Sequence, residues 1–402
     1  MDQLTQDHGS RDAGQDFVAE WQDNAQAISG LYDATQERDA CGVGLIASLD
    51  GRKRREVVEA GIAALKALWH RGAVDADGKP GDGAGIHLEI PQDFFAEAIH
   101  SGGEGCVDTQ IAIGMVFLPK TDLAAQERCR QIIETEILAV GYGIYGWRQV
   151  PIDTACIGEK ANATRPEIEQ IMIRNLPGRD EEAFERDLYV IRRRIEKSAQ
   201  ANSLDLYICS MSCRSVIYKG MFLAQNLTDF YPDLLDTRFV SRFAIYHQRY
   251  STNTFPTWKL AQPFRRLAHN GEINTISGNV NWMKSHETRL ADPVLDPVME
   301  DLKPVVQAAG SDTAMLANVF ELLTFAGRDA PMVKALMVPA SVGGNSGMPQ
   351  KHQDLYAYCN AVMEPWDGPA ALCATDGRWV VAGLDRSGLR PLRYTITGSG
   401  LL

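Results

Sequence analysis

The chain has no stretch approaching the ~20 consecutive apolar residues that a membrane-spanning helix needs. Its N-terminus, MDQLTQDHGSRDAGQDF, lacks the basic and apolar regions of a secretory signal, which points to the cytoplasm. Disulfides are rare in that compartment. None of the eight cysteines (Cys41, Cys106, Cys129, Cys156, Cys209, Cys213, Cys359 and Cys373) belongs to a CxxC pair. The spacing therefore argues against a structural zinc or an iron–sulfur cluster in this segment. Cys209 and Cys213, the one close pair, would share a face of a strand and are expected as buried free thiols. Positive charge is short too: the net charge is -12 and no basic stripe occurs, which argues against nucleic acid or an anionic membrane as partner. There is no dinucleotide fingerprint, since the one GxGxxG spacing, Gly141 to Gly146, follows a predicted helix rather than a strand, and there is no internal repeat.

Apolar residues are plentiful: they make up 45% of the 402 residues, enough for a large core arranged as several domains or one elaborated domain. The acidity is uneven. Residues 1–40 hold nine acidic side chains against Arg11 and Arg38, with no sustained apolar period, and read as a disordered or processed leader. The character changes at Cys41, where CGVGLIASL reads as a buried strand. VVEAGIAALKALWH then has helical spacing. Strand-like runs recur at AGIHLEI, QIAIGMVFL, LYICSMSC, SVIYKG, FVSRFAIYHQRY, FRRLAHNG and DGRWVVAGL. Helices are predicted at AAQERCRQIIETEILAV, EEAFERDLYVIRRRIEKSA and DTAMLANVFELLTFA, the last with Ser311 as cap and Asp312 as first-turn acid. Strands and helix pairs in this order suit an α+β layered domain. The closing RPLRYTITGSGLL reads as mid-strand, as in the front part of a longer protein.

Three segments carry chemistry. In Asp39-Ala40-Cys41-Gly42-Val43-Gly44, a cysteine exposed as a new N-terminus would carry its own base, since an α-amine titrates near ~7.7–8.0 within reach of the sulfur. Taken alone, Cys41 is equally one more core thiol. In His247-Gln248-Arg249-Tyr250-Ser251-Thr252, an arginine at a strand end can fork onto a carboxylate, or simply form a surface ion pair. In His269-Asn270-Gly271-Glu272, the Asn amide and Gly N–H can converge on an oxyanion, although Asn-Gly after a strand is also the ordinary signature of a tight turn. His247 and His269 are read as structural.

The order of Cys41-Gly42-Val43-Gly44, His70-Arg71-Gly72 with Asp82-Gly83-Ala84-Gly85-Ile86, Arg249-Tyr250-Ser251-Thr252, His269-Asn270-Gly271, Ser311-Asp312 and Asp385-Arg386-Ser387-Gly388-Leu389-Arg390-Pro391 resembles the class II glutamine amidotransferases. These are N-terminal-nucleophile hydrolases. Within them the chain is most similar to the glutaminase domain at the front of the large chain of bacterial glutamate synthases, through the insertion AVDADGKPG and the run RYSTNTFPTWKLAQPFR. The resemblance runs from Cys41 to the end and implies a four-layer αββα sandwich over residues 41–402, with a leader cleaved between Ala40 and Cys41. It implies Cys41 as nucleophile, Asn270 and the Gly271 N–H as oxyanion hole, Arg249 on the substrate α-carboxylate with Thr252 beside it, and Asp312 on the α-ammonium with the Gly271 carbonyl. Asn253 stands where sugar-phosphate amidotransferases carry histidine. The substrate implied is L-glutamine, hydrolysed to glutamate and ammonia with no cofactor in this segment. FMN, an iron–sulfur cluster and a small NADPH-oxidising chain would belong to the synthase portion of a full-length enzyme. The rival readings are a stand-alone glutaminase, an ammonia-supplying subunit of another pathway, a related hydrolase of a non-glutamine amide, and a non-catalytic module of the same fold.

Overall fold

The computed structural model describes residues 42–68, 83–103, 107, 109–249, 256–307, 310–341 and 347–402. Ala40, Cys41, Thr252, Asn253, the His70-Arg71-Gly72 motif, Asp82 and the 73–81 insertion lie outside the described residues. The strands are β1 (Val43–Ala47), β2 (Ala84–Glu89), β3 (Ile111–Leu118), β4 (Gly143–Gln149), β5 (Glu167–Arg174) and β6 (Tyr207–Ser212). They continue with β7 (Ser215–Gly220), β8 (Phe243–Gln248), β9 (Leu267–Gly271), β10 (Ala370–Thr375) and β11 (Val380–Leu384). The longer helices are α1 (Arg55–Ala67), α2 (Gln92–Ser101), α3 (Leu123–Ala139), α4 (Glu181–Ala201), α5 (Ile276–Glu287), α6 (Asp312–Phe325), α7 (Ala330–Met337) and α8 (Gln350–Val362). Four of these helices start where the sequence offers an oxygen to the first free N–H groups: Asp122, Asp180, Ser311 and Asp329 each accept from the backbone three residues on.

Two sheets, β1-β8-β2-β7 and β11-β10-β9, make the centre of the molecule. Their facing sides meet through Val43, Phe243 and Ile245 on one and Ala268, Ala371 and Cys373 on the other. Behind the first sheet, Val57, Val58 and Leu65 of α1 cover Ile86, Leu88 and Ala244. Behind the second, Leu267, Leu372 and Ala374 pack on Leu316 and Phe320 of α6 and Val333 and Met337 of α7. The sequence of layers is helix, sheet, sheet, helix, the expected αββα arrangement of an α+β fold. A third sheet, β4-β5-β3-β6, carries α3 and α4 on one face and shares the core of the first sheet on the other. Buried on both faces, β3 reads IAIGMVFL without alternation.

Several local expectations need correction. β4, β5 and β10 do not stand out in the sequence: glycines interrupt GIYGWRQ, charges sit in EIEQIMIR, and AALCAT has little β-branched character. Cys209 and Cys213 are buried free thiols, but they do not share a face: Cys209 belongs to the first core and Cys213 to the one under α3 and α4. A bulge explains this. Ser210 lies opposite Met115 and Ile208 opposite Val116, so Cys209 is the extra residue and the alternation flips. Burial pushes the Cys209 thiol up to about 12, which leaves it unreactive near neutral pH. The segment after Arg390 is not a strand until Leu401, which forms an isolated bridge with Ser48.

α6 brings the one acidic first-turn residue of interest, and a buried ionic network holds that helix. Glu321 accepts from Arg192 of α4 at 2.5 Å and from Arg265 at 3.3 Å, and Glu196 pairs with both Arg192 and Arg193. Burial opposes ionisation of Glu196, but the surrounding guanidinium groups outweigh it and hold the carboxyl at about 2. Removing one member would leave a charge buried without its partner, the costly case for such pairs.

Candidate active site

Three strand ends converge at the edge where β1 begins. The Gln248 N–H donates to the Gly42 carbonyl at 2.8 Å, and the Arg249 N–H donates to the Gly83 carbonyl at 2.8 Å. Gly42, the end of β8 and the start of β2 are thereby laced together. Cys41 lies outside the described residues, but its Cα is tied by the peptide bond to within ~3.8 Å of that of Gly42. Gly42 cannot be larger: a Cβ there would stand 2.6 Å from the Gln248 carbonyl oxygen. The same position lies 3.3 Å from Nδ2 of Asn270, so the Asn270 amide sits against the residue that follows the cysteine. That meeting joins residues some 230 positions apart in sequence, across the two facing sheets.

Asn270-Gly271 is not the tight turn that the dipeptide suggests. Both residues stay in β9, Asn270 opposite Ala371 and Gly271 opposite Ala370. Glycine is required at 271 by crowding, since a Cβ would come within 1.8 Å of the Pro369 carbonyl oxygen. Asp312 is the first residue of α6, with Ser311 as its cap. Its carboxylate accepts from the Ile273 N–H at 2.9 Å and from its neighbour Thr313 N–H at 2.7 Å. Asp312 is thus fastened to the chain two residues beyond Gly271. A carboxylate has about four acceptor positions, so the two hydrogen bonds orient it without exhausting it.

Arg249 follows β8 directly, is exposed, and has φ of 81°. A positive φ is uncommon outside glycine and concentrates where a side chain must be aimed away from the strand's alternation. The structure thus brings Arg249, Gly42, Asn270 and Gly271 to one end of the paired sheets and ties Asp312 to the same β9 exit. An apolar groove of about 940 Å3, lined by Val43, Tyr246, Cys373 and Leu384 among others, runs between β1 and β11 and includes none of these polar groups.

His247 and His269 are buried and serve the frame. The His247 ring Nε2 bonds the His269 carbonyl at 3.1 Å, and His269 Nδ1 meets the Thr313 hydroxyl at 2.9 Å. Burial pulls His247 down to about 3 and His269 to about 4, the latter against an opposing pull from Asp312, so both are neutral at pH 7. Sequence reasoning missed Gln262. Its side-chain amide accepts from the His269 N–H at 2.8 Å and donates to the His269 carbonyl at 3.0 Å, standing where another strand's backbone would pair. A lone Gln before Pro carries no signal for this. Among the described residues no three His, Cys, Asp or Glu side chains converge as metal ligands would.

The Asp385-to-Pro391 motif buttresses the site from behind. The Asp385 carboxylate takes the N–H groups of Ala370, Ser387, Leu389 and Arg390, all at 2.9–3.0 Å. Ala370 is the partner of Gly271, so the motif fixes the strand on which β9 rests. Burial raises the Asp385 carboxyl, but the four donors outweigh it and hold the pKa below the usual carboxylate range. A lowered carboxylate pKa contributes stability that is present above the unfolded value near ~3.9 and fades as pH falls through the folded one. Asp385→Asn is therefore expected to lose about 1.5–3 kcal/mol at pH 7. The gap from the parent should narrow as pH falls below ~3.9, where Asp385 protonates in the unfolded chain while the folded protein still holds it ionised, and should close once pH passes the lower folded value. Thermal unfolding at pH 7 and at pH 3.5 checks this; a gap that is the same at both would remove the charge from the explanation.

Comparison with known proteins identifies the family. The family model described as glutamine amidotransferases class-II matches residues 41–402. The glutamate synthase (NADPH) large chain of Azospirillum brasilense is 62% identical over 392 residues, covering 97% of this chain and 26% of that protein. The chloroplastic ferredoxin-dependent glutamate synthase of Spinacia oleracea is 41% identical over 375 residues, covering 92% of this chain and 23% of that protein. The glutamate synthase (NADPH) large chain of Bacillus subtilis (strain 168) is 39% identical over 379 residues, covering 92% and 24%. The chain thus spans about a quarter of the length of these relatives. With the family model matched from Cys41 to the last residue, and with the paired sheets and the Gly42–Asn270 meeting in place, the chain belongs to the class II glutamine amidotransferases.

Proposed function

We propose that this chain performs the glutaminase half-reaction of a glutamate synthase, in the cytoplasm, after residues 1–40 have been removed. The observation that carries the reading is the Asn270 amide lying against Gly42, the residue next to Cys41. The Cys41 thiolate attacks the side-chain amide carbon of L-glutamine, and the oxyanion that forms is held by Asn270 Nδ2 and the Gly271 N–H. The α-amine of Cys41 accepts the thiol proton and returns it to the departing ammonia. Water then cleaves the γ-glutamyl thioester and releases glutamate. Arg249, with Thr252, holds the substrate carboxylate, and Asp312, with the Gly271 carbonyl, holds its ammonium. In a longer enzyme the ammonia would aminate 2-oxoglutarate in synthase domains holding FMN and an iron–sulfur cluster, with electrons from a small NADPH-oxidising chain. No step proposed here runs through those groups.

Recognition of the amino acid is the sharpest test. Arg249→Lys keeps charge but loses the planar fork, and Asp312→Asn loses the negative charge. Each should lower kcat/KM for glutamine by about 10- to 150-fold, the loss of one charge-assisted hydrogen bond. Alkylation of Cys41 by a small neutral reagent should stay near the parental rate, while 6-diazo-5-oxo-norleucine should react slowly with both variants. Parental rates with that glutamine-like electrophile would show that Arg249 and Asp312 are not the clamp.

A further inference from the structure

His269 lies at the meeting of the two halves of the site. In β9 the side chains alternate: Ala268 faces the first sheet, as does Asn270 with its amide by Gly42, while Leu267 and His269 face α6. The main chain of His269 is gripped on both sides, its N–H and carbonyl by the Gln262 amide and its carbonyl also by His247. That grip sets where Asn270 stands. The imidazole meanwhile reaches the Thr313 hydroxyl, which lies 3.3 Å from Oδ1 of Asp312. His269 and Thr313 are each 1% exposed, so water does not substitute for these partners.

The direction of the chain follows from what is left over. His269 Nε2 is buried and has no hydrogen-bond partner among the described residues. If Nε2 carried the proton, an N–H donor would be orphaned in the core, the rarer and costlier defect. With the proton on Nδ1, His269 donates to Thr313 Oγ1, and the single hydroxyl hydrogen of Thr313 is turned to Asp312 Oδ1. Asp312 then has three donors, the Thr313 hydroxyl and N–H on Oδ1 and the Ile273 N–H on Oδ2.

We propose that His269 and Thr313 are positioning residues for glutamine: the neutral imidazole, acting through the Thr313 hydroxyl, aims the Asp312 carboxylate at the substrate α-ammonium while the backbone of the same histidine sets the oxyanion donor Asn270. This rests on the glutamine-hydrolase reading and on the assignment of Asp312 to the ammonium. It makes His269 the link by which the oxyanion side and the amino-acid side of the site keep their spacing.

The test compares ammonia release from glutamine with release from glutaramate, which is glutamine without its α-amino group. Thr313→Val removes the hydroxyl at nearly constant volume. Its kcat/KM for glutamine should fall about 10-fold, in the range for a hydrogen bond to a charged group. The loss should lie mainly in KM, and kcat/KM for glutaramate should change less than about twofold. Thr313→Ser should recover the parental preference for glutamine. Should Thr313→Val fail to fold, His269→Asn, which can keep an N–H near the Nδ1 position, set against His269→Leu makes the same comparison. Equal losses on both substrates, or a preference untouched by Thr313→Val, would overturn the proposal. Asp312→Asn separates the two layers of inference. If it abolishes the preference while Thr313→Val does not, only the positioning role fails; if it too leaves the preference intact, the assignment of Asp312 fails and the positioning role falls with it.

Discussion

Cys41→Ala is expected to abolish ammonia release from glutamine, by about 10⁴-fold or more, because it removes the sulfur that forms the thioester in the proposed reaction and binding alone gives little rate. The structural frame should survive, since β1 pairs with β8 through the main chain from Val43 to Ala47. The same residue carries a second expectation. If the α-amine of Cys41 is the base, active protein must begin Cys-Gly-Val-Gly-Leu, and the intact mass should be that of residues 41–402 of this chain. The geometry around Gly42 makes the demand specific: the Gly42 carbonyl is occupied by the Gln248 N–H, and a Cβ at 42 would collide with the Gln248 carbonyl, so the strand cannot slide to offer another residue. Fully active protein that retained any leader residue would exclude the amine as base.

Asn270→Asp is expected to lower kcat by about 10²–10³ with a modest change in KM, the usual consequence of losing one oxyanion donor. Aspartate preserves shape but puts acceptor oxygens where the Asn270 Nδ2 lies against Gly42. Folding should be little affected, because β9 is held by main-chain pairing with β10 and by Gln262 on its other side. Single-turnover measurements on correctly processed protein check the effect. An unchanged kcat would take Asn270 out of the oxyanion hole and leave its place beside Gly42 as packing. Gly271 cannot be tested by substitution in the same way, since any side chain there meets Pro369 and disturbs the strand before it disturbs the chemistry.

Much of this was legible in the residues themselves. The cap Ser311 and first-turn acid Asp312 are local properties, and α3, α4 and α6 could be read directly from the sequence. The candidate residues Cys41, Arg249, Asn270, Gly271 and Asp312 came from the order of the motifs and the family resemblance that order carries. What no local window holds is how those residues are placed. Asn-Gly reads as a turn by propensity, yet pairing with Ala370 and Ala371 keeps it extended, and tertiary context overrides the local preference. The bulge at Cys209 depends on the register of β3 against β6, which a single strand's alternation cannot reveal. Gln262 and the Asp385 carboxylate act through hydrogen bonds to backbone, and Thr313 through one to the His269 ring, that other elements bring to them, so their residue types alone carried no sign of the role. The sequence by itself determined the chemical inventory and the helices α1, α3, α4 and α6; the tertiary structure decided the meeting of Gly42 with Asn270 and the tie from Asp312 to β9, because those distances are set by two sheets packing face to face.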